Sequence, residues 1–223
     1  MRYRRVVEIR ELERDGRRGE ARRARWERIR AAAEELFEET DFALVTTREV
    51  ARRAGVAEAT FFRDVKSKHE LLGMVYGDRL DALLNATEEA DAELLRTSGP
   101  VASSGDVTTR VHRVYRSRCD FYRLSPGNVT HYLRLGFDVD QGLSARPVAQ
   151  GDRTIRLVAS ILRDGQQAGV TDDRVGADLV AQNLHGTYMH EIDRTPIRGF
   201  DPATIWDRLQ PRLDAQLLPL ALP

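Results

Sequence analysis

Residues 46–72, TTREVARRAGVAEATFFRDVKSKHELL, constrain the fold more than any other part of the chain. They read as two short helices joined by a tight turn, then a basic junction and the start of a long helix. Thr46 begins the first helix. Its hydroxyl can accept the Glu49 backbone N–H while Glu49 reaches back to the Thr46 N–H, the spacing of a capping box. Val50, Ala51 and Ala54 share an inward face at helical period. Gly55 follows where the chain must reverse through a positive φ. Val56 plugs the angle between the helices, and the second helix runs over residues 57–65. Ala51, four residues before Gly55, is small enough to let two backbones cross closely. Small residue, glycine and hydrophobe in this order make a helix-turn-helix.

The outward face of the second helix carries the chemistry. Ala57, Glu58, Ala59, Thr60 and Arg63 are small or polar, so its N-terminal half can enter a DNA major groove without steric conflict. Thr60 can meet a thymine methyl or a phosphate, and Arg63 can pair with guanine O6 and N7 or with phosphate. Phe61 is expected to point into the domain. Phe62 and Lys68 are placed for the DNA backbone. The only two lysines in the chain, Lys66 and Lys68, both lie at the junction. The candidate DNA-contacting residues are therefore Thr46, Thr47, Arg48, Ala57, Glu58, Ala59, Thr60, Phe62, Arg63, Lys66 and Lys68.

The run VAEATFFRDVKSKHELL resembles the signature of the TetR family, the N-terminal DNA-binding domain of tetracycline-repressor-like regulators. The likeness extends upstream over residues 22–75. Trp26, Ile29, Ala33, Leu36 and Phe37 form the apolar stripe of a first helix, and Phe42 and Val45 lead into Thr46. There are three departures. The family's usual glycine before the threonine is Ala59, and its usual tyrosine with a phosphate-binding hydroxyl is Phe62. A usual aromatic pair near the helix end is replaced by Asp64 and Val65, and Asp64 adds negative charge close to the DNA face.

Charge distribution agrees with a nucleic-acid-binding end. The 223 residues sum to zero, but residues 1–30 hold twelve arginines against six acids, a net charge of +6, leaving −6 on the remainder. Residues 1–21 read as a mobile basic arm with a transient helix, either solvated or lying along phosphates or a minor groove. Cys119 is the only cysteine, which excludes an intramolecular disulfide and a cysteine-based zinc site. No apolar run is long enough to span a membrane, and no signal-peptide core is present, so a cytoplasmic location is expected.

No strand-like alternation persists, and the expected fold class is all-α: an N-terminal three-helix helix-turn-helix domain followed by a larger helical body. The expected divisions are the arm at 1–21, the DNA-binding domain at 22–68, and a ligand-binding and dimerisation domain at 69–223. One long helix is expected over residues 70–95, a loop over 97–106, and helices over 107–124 and 128–137. A loop over 138–150 containing Gly142 and Pro147 precedes a helix over 152–168. Residues 175–192 are apolar on two faces. Val175, Leu179 and Met189, with Gly186 among them, lie on one; Ala177, Val180, Ala181, Leu184 and Tyr188 lie on the other. A helix covered by its own domain alone needs one stripe, so the second face points to a partner copy, the alternative being a monomer in which this helix is deeply buried. Asp201-Pro202 opens a final helix with Ile205, Trp206, Leu209, Leu213 and Leu217 at helical spacing, which Pro211 should kink or break. In the TetR family the last two helices form a four-helix interface with the twin subunit. The resemblance thus implies a homodimer through Val175, Leu179, Gly186, Met189, Trp206, Leu209 and Leu213, bound to a palindromic operator on double-stranded DNA.

Regulators of this type usually answer to a small-molecule effector, held between helices of the body. Residues 107–137 are rich in aromatic and polar groups, and His112, Tyr115, Cys119, Tyr122, Tyr132 and Phe137 are the candidate lining; core packing accounts for them equally well. Arg116, Arg118 and Arg134 read better as solvated surface than as anion contacts. No enzymatic activity and no cofactor are expected. His185 and His190 are five apart, not the four of a metal-binding helix face, and neither a Gly-rich phosphate loop nor a Gly-x-Ser-x-Gly elbow is present. The competing readings are a DNA-bound architectural protein without a ligand and an all-α carrier or enzyme whose helix-turn-helix is incidental.

Overall fold

A computed structural model describes residues 2–137 and 143–222, with side chains from Gly19 onward. The described residues are 81% helical with no strand, which leaves one isolated bridge, Thr171 to Ala221, as the only sheet-like pairing among them. The chain divides into two compact units, Met1–Val75 and Tyr76–Pro223.

The first unit holds α1 (Arg2–Glu39), α2 (Thr47–Arg53), α3 (Glu58–Asp64) and the first turns of α4 (Lys68–Ser98). Each helix gives its apolar stripe to one core: Ile29, Ala33, Leu36 and Phe37 from α1, Val50 and Ala51 from α2, Phe61 from α3, and Leu71, Leu72 and Val75 from α4. Burying each of the larger side chains contributes about 1.5–3 kcal/mol. Phe42 and Val45 close the core from the α1–α2 loop. Residues 2–21, read above as an arm, continue α1 without interruption. Arginine and glutamate are good helix formers, and Gly16 and Gly19 lower propensity by about 1 kcal/mol each without supplying a stop.

The second unit holds the rest of α4, α5 (Ser104–Leu124), α6 (Pro126–Arg134), α7 (Ala145–Gln167), α8 (Ala177–Ile197) and α9 (Ile205–Leu217). Single 3₁₀ turns, Leu135–Phe137 and Pro202–Thr204, follow α6 and precede α9. The helix α7 packs mainly on α8, α8 on α9, and α5 on both α7 and α9. Their common core includes Val111, Tyr115, Cys119, Tyr132, Val158, Ile161, Leu184, Tyr188, Ile205 and Leu209.

Two element boundaries differ from the sequence reading for local reasons. The helix α7 starts at Ala145, not near 152, so Pro147 lies in its first turn, where a missing N–H leaves no bond unmade. Gly142 lies outside the described residues. The loop before α5 is short because Ser103 caps the helix: its hydroxyl accepts the Asp106 N–H and Asp106 accepts the Ser103 N–H. Pro211 does not end α9, which runs through it to Leu217.

Buried polar groups tie the second unit together. Arg110 forks onto Asp91 with two 2.8 Å bonds and reaches Asp164 at 2.8 Å, joining α5 to α4 and α7. Gln150 donates to the Gly77 carbonyl and to Asp81, and accepts the Tyr132 hydroxyl proton at 2.6 Å. A Cβ at Gly77 would stand 2.7 Å from the Arg146 guanidinium, so a larger residue would displace that side chain. Glu191, fully buried on α8, is faced by Arg194, Arg208 and Arg212.

Candidate nucleic-acid interface

The turn between α2 and α3 is built by local bonds. Thr46 caps α2 by accepting the Glu49 N–H. At the other end the Val56 N–H donates to the Ala51 carbonyl at 3.0 Å and the Gly55 N–H to the Arg52 carbonyl at 3.2 Å. Those two bonds form a Schellman motif, with Gly55 in the left-handed region at φ +65°. Ala57, in extended conformation, then caps α3. Phe61 is buried and fixes which side of α3 faces inward.

The opposite side of α3 is open. Ala57, Glu58, Ala59 and Arg63 are exposed, Thr60 is half-buried, and Phe62 is 51% exposed with its ring edge-on to Phe61. Thr46 and Arg48 at the start of α2 are also exposed, and Thr47 is half-buried. Arg48 pairs with Glu58 at 2.9 Å across the two helices, which offsets the only acid at the tip of α3. Lys66 is exposed beyond the C-terminus of α3. These residues form one contiguous tip of small, polar and cationic groups.

Two residues have roles other than those read from sequence. Lys68 is committed internally: its ammonium donates to the carbonyls of Phe42, Ala43 and Val45 at 2.9, 3.2 and 3.2 Å and lies 4.4 Å from the Phe42 ring centroid. All three of its protons are thereby used in closing the α1–α2 loop, which removes it from the phosphate-contacting set. Asp64 does not present charge to the tip. Its side chain is 2% exposed and accepts from Arg25 of α1 at 2.6 Å, with Arg22 at 3.4 Å. The Arg25 hydrogen bond, against opposing desolvation, holds the Asp64 carboxyl below the usual carboxylate range.

The second unit contains a cleft of about 190 Å³ between α5, α6, α7 and α8. Leu133, Pro147, Val148, Ile155 and Met189 give it apolar walls, and Arg118, Asp152 and His185 border it. Of the six aromatic and polar residues suggested by sequence, only Phe137 lines this cleft, at its open rim. Tyr115, Cys119, Tyr122 and Tyr132 are core residues, and burial pushes the Cys119 thiol up to about 12, which leaves it a protonated, inert packing group. His112 stands 2.8 Å from Asp214 and edge-on to Trp206, where it packs α5 against α9.

Sequence reasoning missed the cleft's polar residues, of which Arg118 and His185 carry buried polar atoms and Asp152 is exposed. Arg118 is 2% exposed, not solvated. Its signal was present: Val111, Val114, Tyr115, Arg118, Cys119 and Tyr122 follow the inward period of α5. His185 was weighed only as a metal ligand. Burial and the nearby Arg118 charge lower it to about 3, so its ring is neutral.

The residues suggested for a subunit interface divide. Leu209 and Leu213 are fully buried in this chain's own core, Met189 lines the cleft, and Trp206 packs on His112 and Arg116. Trp206, Leu209 and Leu213 face inward because α9 has one apolar stripe, and the core takes it. Val175, Leu179 and Gly186 remain exposed on the outer side around α8.

Residues 29–75 match the family profile "Bacterial regulatory proteins, tetR family". No curated protein matches the chain in sequence. Solved structures share the fold at low identity. A TetR transcription regulator from Haloarcula marismortui superposes with a TM-score of 0.66 at 14% identity, covering 89% of this chain and 98% of its own. The transcriptional regulator FadR from Bacillus subtilis, solved with stearoyl-CoA, gives 0.60 at 17%, covering 84% and 97%. Thermus thermophilus FadR, a TetR-family repressor solved with lauroyl-CoA, gives 0.54 at 21%, covering 84% and 92%.

Proposed function

We propose that this chain, a TetR-family transcriptional regulator by its N-terminal domain and its fold, binds a palindromic operator as a homodimer and represses by obstruction until a small-molecule effector releases it. The exposed tip of α3 carries the reading. Its side chains are small enough for close approach to a major groove, and Phe61 and the Schellman turn hold it rigid. Ala57, Ala59 and Thr60 lie against base edges, Arg63 pairs with a guanine, and Thr46, Thr47, Arg48 and Lys66 meet phosphates.

Two copies presenting α3 must match half-sites about 34–36 Å apart, or a multiple of that distance. An effector therefore acts by favouring a dimer whose two α3 helices no longer match this spacing, and it can do so only through its differential affinity for the two states. The cleft in the second unit supports an effector, as do the acyl-CoA molecules bound by the two FadR structures. No helix among the described residues is long and apolar enough to cross a membrane, which agrees with action on cytoplasmic DNA. The test is selection of bound sequences from random duplex. An inverted repeat supports both the activity and the twofold symmetry; recovery of unenriched sequences overturns the reading.

A further inference from the structure

We propose that Arg118 is the anion anchor of the effector site, and that the effector is a small carboxylic acid with an apolar body. The inference rests on the reading of the second unit as an effector domain and names the ligand class. Arg118 is 2% exposed, and its bonding is incomplete. One terminal nitrogen donates to the Thr154 hydroxyl at 2.9 Å, and the guanidinium stacks 4.9 Å from the Tyr188 ring centroid, but Nε has no partner among the described residues. No carboxylate among the described residues lies within ion-pair distance. The fold treats its other buried arginine differently, since Arg110 is paired with both Asp91 and Asp164. A buried guanidinium without a counter-charge is unfavourable unless something supplies one.

The cleft beside Arg118 supplies room and a second contact. His185 lines the same cleft, its Nδ1 is buried with no partner among the described residues, and the ring is neutral. A carboxylate has two acceptor oxygens, which match the Arg118 Nε–H and an Nδ1–H on His185. One guanidinium and one neutral imidazole suit a monoanion better than a doubly charged phosphate. The apolar walls would take the rest of the molecule. A dry cavity of about 150 Å³ accommodates benzene, so a cleft of about 190 Å³ fits an aryl or short alkyl chain.

The test uses the full chain and titrates octanoate, with octan-1-ol as the neutral comparator and lauroyl-CoA as the thioester comparator. Calorimetry and thermal unfolding should show octanoate binding and raising Tm with concentration, with at least tenfold weaker binding of the alcohol. Arg118→Met should lose octanoate binding tenfold or more while leaving the ligand-free Tm unchanged or higher. Val148→Trp, at an exposed rim position, fills the cleft while keeping the Arg118 side chain and should lose binding too, so a folding failure of the first variant leaves the proposal testable. Equal binding of acid and alcohol, binding of lauroyl-CoA alone, or wild-type octanoate affinity in both variants overturns the assignment. So does a tenfold tightening in the Asp138→Asn, Asp140→Asn double variant, which would mean that one of those carboxylates already occupies Arg118. Operator binding measured without ligand separates failure here from failure of the DNA-binding reading.

Discussion

The ammonium of Lys68 satisfies three loop carbonyls at once, so its removal should act on the fold of the DNA-binding unit. Lys68→Ala is expected to lower stability of that unit by about 1–3 kcal/mol, and it should leave the slope of log affinity against log salt unchanged. A slope shallower by about 0.9 would put the ammonium on a phosphate instead. Asp64 gives a second test, with a pH signature. Arg25 depresses its carboxyl pKa in the folded state, so the pair contributes stability above the unfolded value of about 3.9 and loses it as pH falls through the folded value. Asp64→Asn should cost about 1–3 kcal/mol at pH 7, and the gap from wild type should close in melts taken progressively below pH 4. A gap constant over that range would mean that the ion pair contributes nothing. Neither role was visible in sequence, where both residues read as part of the DNA-facing tip. Lys68 finds its carbonyls 23 to 26 residues away, and Asp64 finds Arg25 39 residues away. Gly55 was legible because its partners lie within five residues.

Helices were read with their correct type and order because periodicity and caps are local. Their ends moved where a terminal rule was decisive, as with Pro147 in the first turn of α7 and the Ser103–Asp106 cap of α5. The two-faced pattern of α8 was legible, and the faces separate: Ala181, Leu184 and Tyr188 go to the core, and Leu179 stays 56% exposed. What spacing could not reveal is that Leu209 and Leu213 of α9 are taken up by the chain's own core. The proposed partner-facing role therefore rests on Val175, Leu179 and Gly186. Leu179→Glu should leave helicity unchanged, since the side chain is 56% exposed, and should shift the proposed dimer to monomer by sedimentation. Operator affinity should fall by about 10²–10⁴ as the second half-site is lost. A stable dimer in this variant would move the interface elsewhere.

Across the whole molecule, charge is segregated, with +6 on residues 1–30 and −6 beyond. The zero total conceals a cationic end suited to phosphates. Deleting residues 1–20 should flatten the salt dependence of DNA binding, measured as the slope of log affinity against log salt; an unchanged slope would mean that this part of α1 touches no DNA. The all-α class, the helix-turn-helix and its outward face followed from sequence alone, because hydrogen bonds four residues apart, caps and a positive-φ glycine are written within one turn of helix. Which aromatic residues fill the core, where the cleft opens, and that Arg118 lines it with no counter-ion among the described residues were decided only by tertiary packing. Those outcomes depend on which side chains meet across α5, α7 and α8, and local spacing along the chain carries no record of those meetings.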